Sequence, residues 1–239
     1  MTSNEIIAEV KEFCAANASK ENVEKYSRYF KGGINAWGLT QPQIDGKVKD
    51  LLKSHELTLD TVLEAAPMLI ASDKYEEPGF ALLLINGFSK TLSTKVFKAI
   101  EGFYTIGITN WAHADVLGMF ILPQFINNGI ITMEDFGPWL SSPYKFQRRS
   151  VPVTLIKYLK ANKSADFKPI FQFLAPLMTD PEREVHQGMG WFLREAWKIQ
   201  PKATESFLLK WKNKSPRLIF QYATEKMDKE NKLRFKKEK

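Results

Sequence analysis

The stretch Thr109–Phe120, TNWAHADVLGMF, reads as the start of a helix. Thr109 or Asn110 can cap it, and an apolar run follows from Val116. Trp111 and Asp115 are four residues apart, so a helix puts them on one face, one turn from each other. The segment is apolar enough to be buried, and no lysine or arginine stands at helical spacing to pair with the carboxylate. Asp115 is therefore either a structural capping acid or a group whose partner is a ligand. On the second reading it has no obligatory cation in the free protein, and Asp115→Asn is expected to leave folding intact or raise stability slightly.

The same helical grammar extends outward in both directions. In SNEIIAEVKEFCAANA the apolar residues Ile6, Ile7, Val10, Phe13 and Cys14 recur at three and four. Ser19 offers half a capping box, because Asn22 rather than Glu or Gln stands three positions on. Thr40 before Pro42 is a good helix start. Further helices are expected near 58–72, 75–89, 93–106, 110–127, 132–141, 146–160, 167–178, 184–199, 201–212 and 215–227, with Pro67 bending or dividing the first of them. Alternating β-branched runs are rare, so the fold class is all-α.

Short helices joined by short turns favour stacked helix pairs, whose repeat period is about 40 residues. Tyr29, Trp111, Arg149 and Trp191 are separated by 82, 38 and 42 residues, about two, one and one such periods. In a solenoid, equivalent positions line one concave surface. The expectation is one curved domain over residues 1–239, with a basic tail at about 228–239 that frays from a helix end.

Charge divides unevenly along the chain. Residues 1–140 carry 12 basic and 17 acidic side chains, and residues 141–239 carry 22 and 10. The C-terminal half thus suits a polyanion, or else presents a solvated lysine-rich surface. The longest apolar run, FALLLI at 80–85, is far below a membrane span, and the N-terminus lacks the bases of a signal peptide. Cys14 is the only cysteine, which fits a reducing compartment. His55, His113 and His186 are scattered, so neither a metal nor a cofactor is expected.

Two more segments hold candidate chemistry. KFQRRSVPVTLIKYL sets Arg148 and Arg149 at a helix start, where an arginine faces solvent, a structural carboxylate or a ligand. REVHQGMGWFLREAWKIQP sets Trp191 beside Met189 and Leu193, a placement that also suits a core tryptophan. Gly188 and Gly190 each cost about 1 kcal/mol of helix propensity against alanine, so another helix or a ligand must come close there.

Taken together, SRYFKGGINAWGL (27–39), NWAHAD (110–115), RRSVPVTL (148–155) and GMGWFLREAWKIQP (188–201) resemble segments of the AlkD-type DNA alkylation repair glycosylases, proteins of HEAT-like repeats. The resemblance spans residues 27–201, with the motifs in the family's order. It implies Trp111, Asp115 and Trp191 as groove aromatics and acid, Arg149 as the phosphate-holding arginine with Arg148 as the fallback, and Tyr29 on the groove wall. Asn110 and Ala112 stand where the family often has a second Trp and a second Asp, and Pro152 falls in the first turn of the arginine helix.

The implied activity is monofunctional excision of cationic N3- or N7-alkylated purines from duplex DNA. Such a base is already a good leaving group, so the protein need only stabilise an oxocarbenium-like sugar and position water. Arg148, Lys157, Arg194, Lys210, Lys212 and Lys214 are further candidates for phosphate contact. The alternative is a non-catalytic HEAT-repeat relative that binds branched or bent DNA; a helical-repeat protein scaffold is the third reading. A cytoplasmic monomer is expected, nucleoid-associated in a prokaryote, with no membrane contact.

Overall fold

The computed structural model describes residues 1–238. Those residues form fourteen α-helices joined by 3-10 segments and one π turn, with no strand among them; the helix expected near 132–141 is the 3-10 segment Met133–Ser141. Contacts gather them into two compact units, Met1–Thr109 and Asn110–Lys239.

The first unit holds α1 (Ser3–Ala16), α2 (Lys20–Ser27), α3 (Gln41–Leu52), α4 (Leu59–Ile70), α5 (Glu76–Gly87) and α6 (Thr94–Ile106). Their starts follow the polar punctuation of the sequence. Thr2 and Glu5 close a capping box, and the Ser19 hydroxyl accepts from the Asn22 amide. Helix α1 packs on α4 and α5 through Ile6, Val10 and Cys14, all fully buried. Pro67 does not divide α4, which runs through it to Ile70. In the loop before α3, the Glu76 carboxylate accepts the backbone N–H groups of Trp37 (2.8 Å), Gly38 (2.7 Å) and Leu39 (3.1 Å). Gly38 has φ +86°, and a Cβ there would fall 2.1 Å from the Ser19 carbonyl oxygen, so only glycine fits.

The second unit holds α7 (Trp111–Val116), α8 (Leu122–Asn127), α9 (Lys145–Ala161), α10 (Lys168–Leu174), α11 (Arg183–Ile199), α12 (Pro201–Trp211), α13 (Arg217–Ala223) and α14 (Lys229–Leu233). Helices α7 and α8 are continuous through a π turn at Leu117–Ile121, where the Leu122 N–H reaches the Leu117 carbonyl. Pro123 cannot donate to the carbonyl four residues back, so the ladder is already interrupted at this point. Pro152 lies in the interior of α9, not in its first turn. Its ring removes the donor that the Arg148 carbonyl would otherwise receive.

Cross-helix partners fix the register of this unit. Lys145 pairs with Glu184, 39 residues on, and Arg149 faces Gly188. The Gln187 amide donates to the Tyr222 hydroxyl, 35 residues on, and Arg194 pairs with Glu225, 31 residues on. Asp115 pairs with Arg149, 34 residues on, and Gly118, in the π turn that continues α7, lies against Val153, 35 residues on. In each case later residues of one helix meet later residues of the next, so α7, α9, α11 and α13 run parallel in one row. The first unit shows the same interval in Lys47–Glu9, 38 residues apart, and Lys95–Asp60, 35 apart. These intervals are the physical form of the helical repeat.

The two glycines of α11 serve helix packing. A Cβ on Gly190 would meet Tyr222 Cβ at 2.4 Å and the Ile219 carbonyl oxygen at 2.8 Å, both on α13. A Cβ on Gly188 would meet Arg149 Cγ at 3.1 Å, on α9. The C-terminal tail does not fray: Phe235 is fully buried, and its carbonyl accepts from Arg217. Its last residue, Lys239, lies outside the described residues.

Candidate functional site

Asn110 caps α7, its side-chain oxygen accepting the His113 N–H at 3.0 Å. This fixes the first turn, so Trp111 and Asp115 project from one face as their spacing requires. Trp111 is 40% exposed, a large apolar surface left in solvent. The Asp115 side chain retains 17% exposure.

The expectation that Asp115 has no cation is overturned. Arg149 reaches across from α9 and grips it with two parallel bonds, Nε to Oδ1 and Nη2 to Oδ2, each 2.9 Å. The remaining terminal nitrogen, Nη1, donates to the Glu184 carbonyl at 2.7 Å. A fork-on-fork pair of this kind fixes both planes. The Arg149 side chain is only 7% exposed and lies behind the carboxylate, with Gly188 of α11 against its stem. A search of α7 alone misses this partner because it comes from another helix. Of the readings open for Arg149, contact with a carboxylate is the one the geometry realises.

Arg148 turns the other way. Its Nε and Nη2 bond the Asp180 carboxylate at 2.6 and 3.1 Å, and Nη1 donates to the Ser142 carbonyl at 2.6 Å. The pair is nearly buried and ties α9 to the turn that precedes α11. The His186 ring nitrogen Nε2 lies 2.5 Å from the Asp180 carbonyl oxygen, closing the same corner. Neither Asp180 nor Ser142 is signalled by a local motif. Lys145 joins Glu184 at 3.0 Å and Glu182 at 3.6 Å, on the solvent side of the Arg149 anchor. Burial works against ionisation of Glu184, but the Lys145 ammonium and Arg149 outweigh it and hold the carboxyl below its usual range.

Trp191 is half-buried on α11, one turn beyond Gly188. Three row helices, α7, α9 and α11, thus bring Asp115, Arg149 and Gly188 into direct sequence. Tyr29 belongs to the first unit, where it is 59% exposed with the Arg28 guanidinium 4.9 Å above its ring.

The remaining basic candidates differ in how free they are. Arg194 is shared between Glu195 and Glu225, and Lys212 holds Glu238 at 2.5 Å. Lys157 lies 5.9 Å from the centroid of the exposed Phe120 ring. Lys210 and Lys214 are exposed. Among the described residues no helix is long and apolar enough to cross a membrane.

A solved structure described as a predicted DNA alkylation repair enzyme from Enterococcus faecalis has a similar fold. The TM-score is 0.73 at 15% identity, over 89% of this chain and 98% of that one. No curated protein matches the chain. The family model for DNA alkylation repair enzymes matches residues 10–227, nearly the whole length. The chain belongs to the DNA alkylation repair enzyme family, with a role in the repair of alkylated DNA.

Proposed function

We propose that the protein is a monofunctional DNA glycosylase that releases cationic N3- or N7-alkylated purines from duplex DNA. The observation that carries this reading is the Asp115 carboxylate, locked in orientation by Arg149 and opening to solvent one turn from an exposed indole. Alkylation gives the purine a positive charge, so the glycosidic bond breaks without a proton donor. Negative charge is needed where the sugar becomes cationic, and the outer edge of Asp115 supplies it. Because Arg149 holds the carboxylate beforehand, no reorganisation is required as charge develops. The indoles of Trp111 and Trp191 present π faces to the sugar, which favours its cationic form. In this scheme Arg149 is a positioning residue for Asp115, and the phosphates fall to exposed lysines.

A second reading, binding of branched or bent DNA without base release, is favoured by one observation. Arg149 already satisfies Asp115 in the free protein, as a purely structural pair would. Single-turnover release of free 7-methylguanine from duplex DNA separates the two. Release above the spontaneous rate is expected. Tight DNA binding with no release of any cationic base would replace the glycosylase by the second reading.

A further inference from the structure

A cleft of about 380 Å³ opens between the turn before α11 and the α12–α13 loop. Thr179, Lys212, Lys214, Ser215, Arg217 and Lys237 line it, so four cations converge on one hollow with two hydroxyls among them. Ser215 is 8% exposed, and its hydroxyl has no hydrogen-bond partner among the described residues. A buried hydroxyl left unpaired costs about 1–3 kcal/mol, and that of Ser215 is closed to solvent, so turning the side chain into the cleft to meet an acceptor there is favourable. Arg217 is anchored from behind by the Phe235 carbonyl at 2.5 Å and by the Phe220 ring. Among the described residues, Glu238 is the only anion paired with a lining cation; it takes Lys212 and the Asn213 amide. Glu238 is itself on the exposed tail, so an incoming oxyanion can displace it.

We infer that this cleft is a phosphate-binding site that takes a phosphodiester of the DNA strand. The inference rests on the DNA-repair reading above. A phosphate group supplies acceptor oxygens for the Ser215 and Thr179 hydroxyls and charge for the lysines, the combination the cleft lacks by itself. Its place in the row fits a strand that also passes Asp115. Thr179 precedes Asp180 in the turn before α11, and Ser215 precedes α13, while α13 packs on α11 as α11 packs on α9. Neighbouring helix axes lie about 8–10 Å apart, so the cleft stands about two spacings from the Arg149 anchor. At about 3.4 Å per nucleotide of one strand, that is several phosphates from the lesion.

The test uses the full chain, with Ser215→Ala and Lys214→Ala as variants and inorganic phosphate and an undamaged duplex as probes. At constant ionic strength, millimolar phosphate should raise the melting temperature of the parent and not of Ser215→Ala. Without phosphate, Ser215→Ala should be at least as stable as the parent, because it loses no bond. On the duplex, Lys214→Ala should weaken binding several-fold and lower the log–log salt slope by about one. Ser215→Ala should weaken duplex binding without changing that slope. Phosphate stabilisation with unchanged duplex affinity in both variants would assign the cleft to a free phosphate and overturn the DNA part. Equal phosphate response in parent and Ser215→Ala would overturn the site. If the parent binds duplex in this way yet releases no base, the glycosylase proposal fails while the cleft stands.

Discussion

Asp115→Asn keeps the shape of the side chain and removes its charge, so it separates what the carboxylate does for stability from what it does for chemistry. A sugar cation about 3 Å from the near carboxylate oxygen stands about 6 Å from the guanidinium behind it. At an effective permittivity of about 20, attraction is about 5.5 kcal/mol and repulsion about 2.8, leaving about 2.7 kcal/mol in favour of the transition state. Base excision should therefore fall about 10²-fold. Stability moves too. Removing one member of a buried pair costs about 3–5 kcal/mol, but asparagine still accepts one Arg149 bond, so about 2–3 kcal/mol is expected. For a chain of this size that lowers the melting temperature by about 4–12 °C. Adding Arg149→Met should restore part of the loss, since the stranded cation goes with it. The assays are single-turnover release of 7-methylguanine below the variant's melting range, and thermal unfolding of the parent, single and double variants. A melting temperature at or above the parent's would show that the ion pair stabilises nothing. An unchanged excision rate would remove Asp115 from the mechanism.

Gly190→Ala should lower stability by about 1–3 kcal/mol in denaturant titration, because the new methyl meets Tyr222 Cβ and the Ile219 carbonyl, neither of which can yield without moving the α13 backbone. Burial, then Glu76 and Glu77, push the Cys14 thiol up to about 12, so native protein at pH 8 should resist a thiol reagent that labels the unfolded chain at once. Burial of Glu195 opposes its ionisation, yet Lys198, Lys160 and the other cations around it hold its carboxyl below the usual range. That lowered value adds stability at neutral pH which is lost as pH falls through and below the ordinary glutamate range, so Glu195→Gln should be less stable at pH 7 and show a flatter acid limb in pH-dependent melting. Lys157→Ala and Lys210→Ala should each weaken duplex binding uniformly across sequences and reduce the salt slope by about one, as measured by anisotropy.

Periodicity alone placed the helices well. The segment read as 184–199 is Arg183–Ile199, and the segment read as 58–72 is Leu59–Ile70. Caps were legible because Ser19 and Asn110 act within three residues. The near-40 interval was legible in the aromatic and arginine positions, and it reappears in cross-helix pairs such as Lys145–Glu184. What stayed hidden is whatever depends on which helices adjoin. Spacing within α7 cannot reveal that Arg149, 34 residues away, closes on Asp115. The glycines of α11 announced a close approach but not that α9 and α13 make it. At Pro67 the helix is continuous rather than divided, because one missing N–H is outweighed by the packing of residues on either side.

The narrow range of intervals between partners has a consequence for how the chain acquires its structure. Lys47 finds Glu9 38 residues back, Lys95 finds Asp60 35 back, and Glu184 finds Lys145 39 back. None of these closures waits for the C-terminus to be made, and each spans a loop of similar length and so of similar entropic cost. Structure can therefore propagate in the direction of synthesis, each helix docking on one that emerged some forty residues earlier. Asp115 keeps the same schedule: its helix can form early, but its carboxylate stays unclamped until Arg149, 34 residues on, has followed it out, and Arg149 is fully held only once Glu184 has emerged.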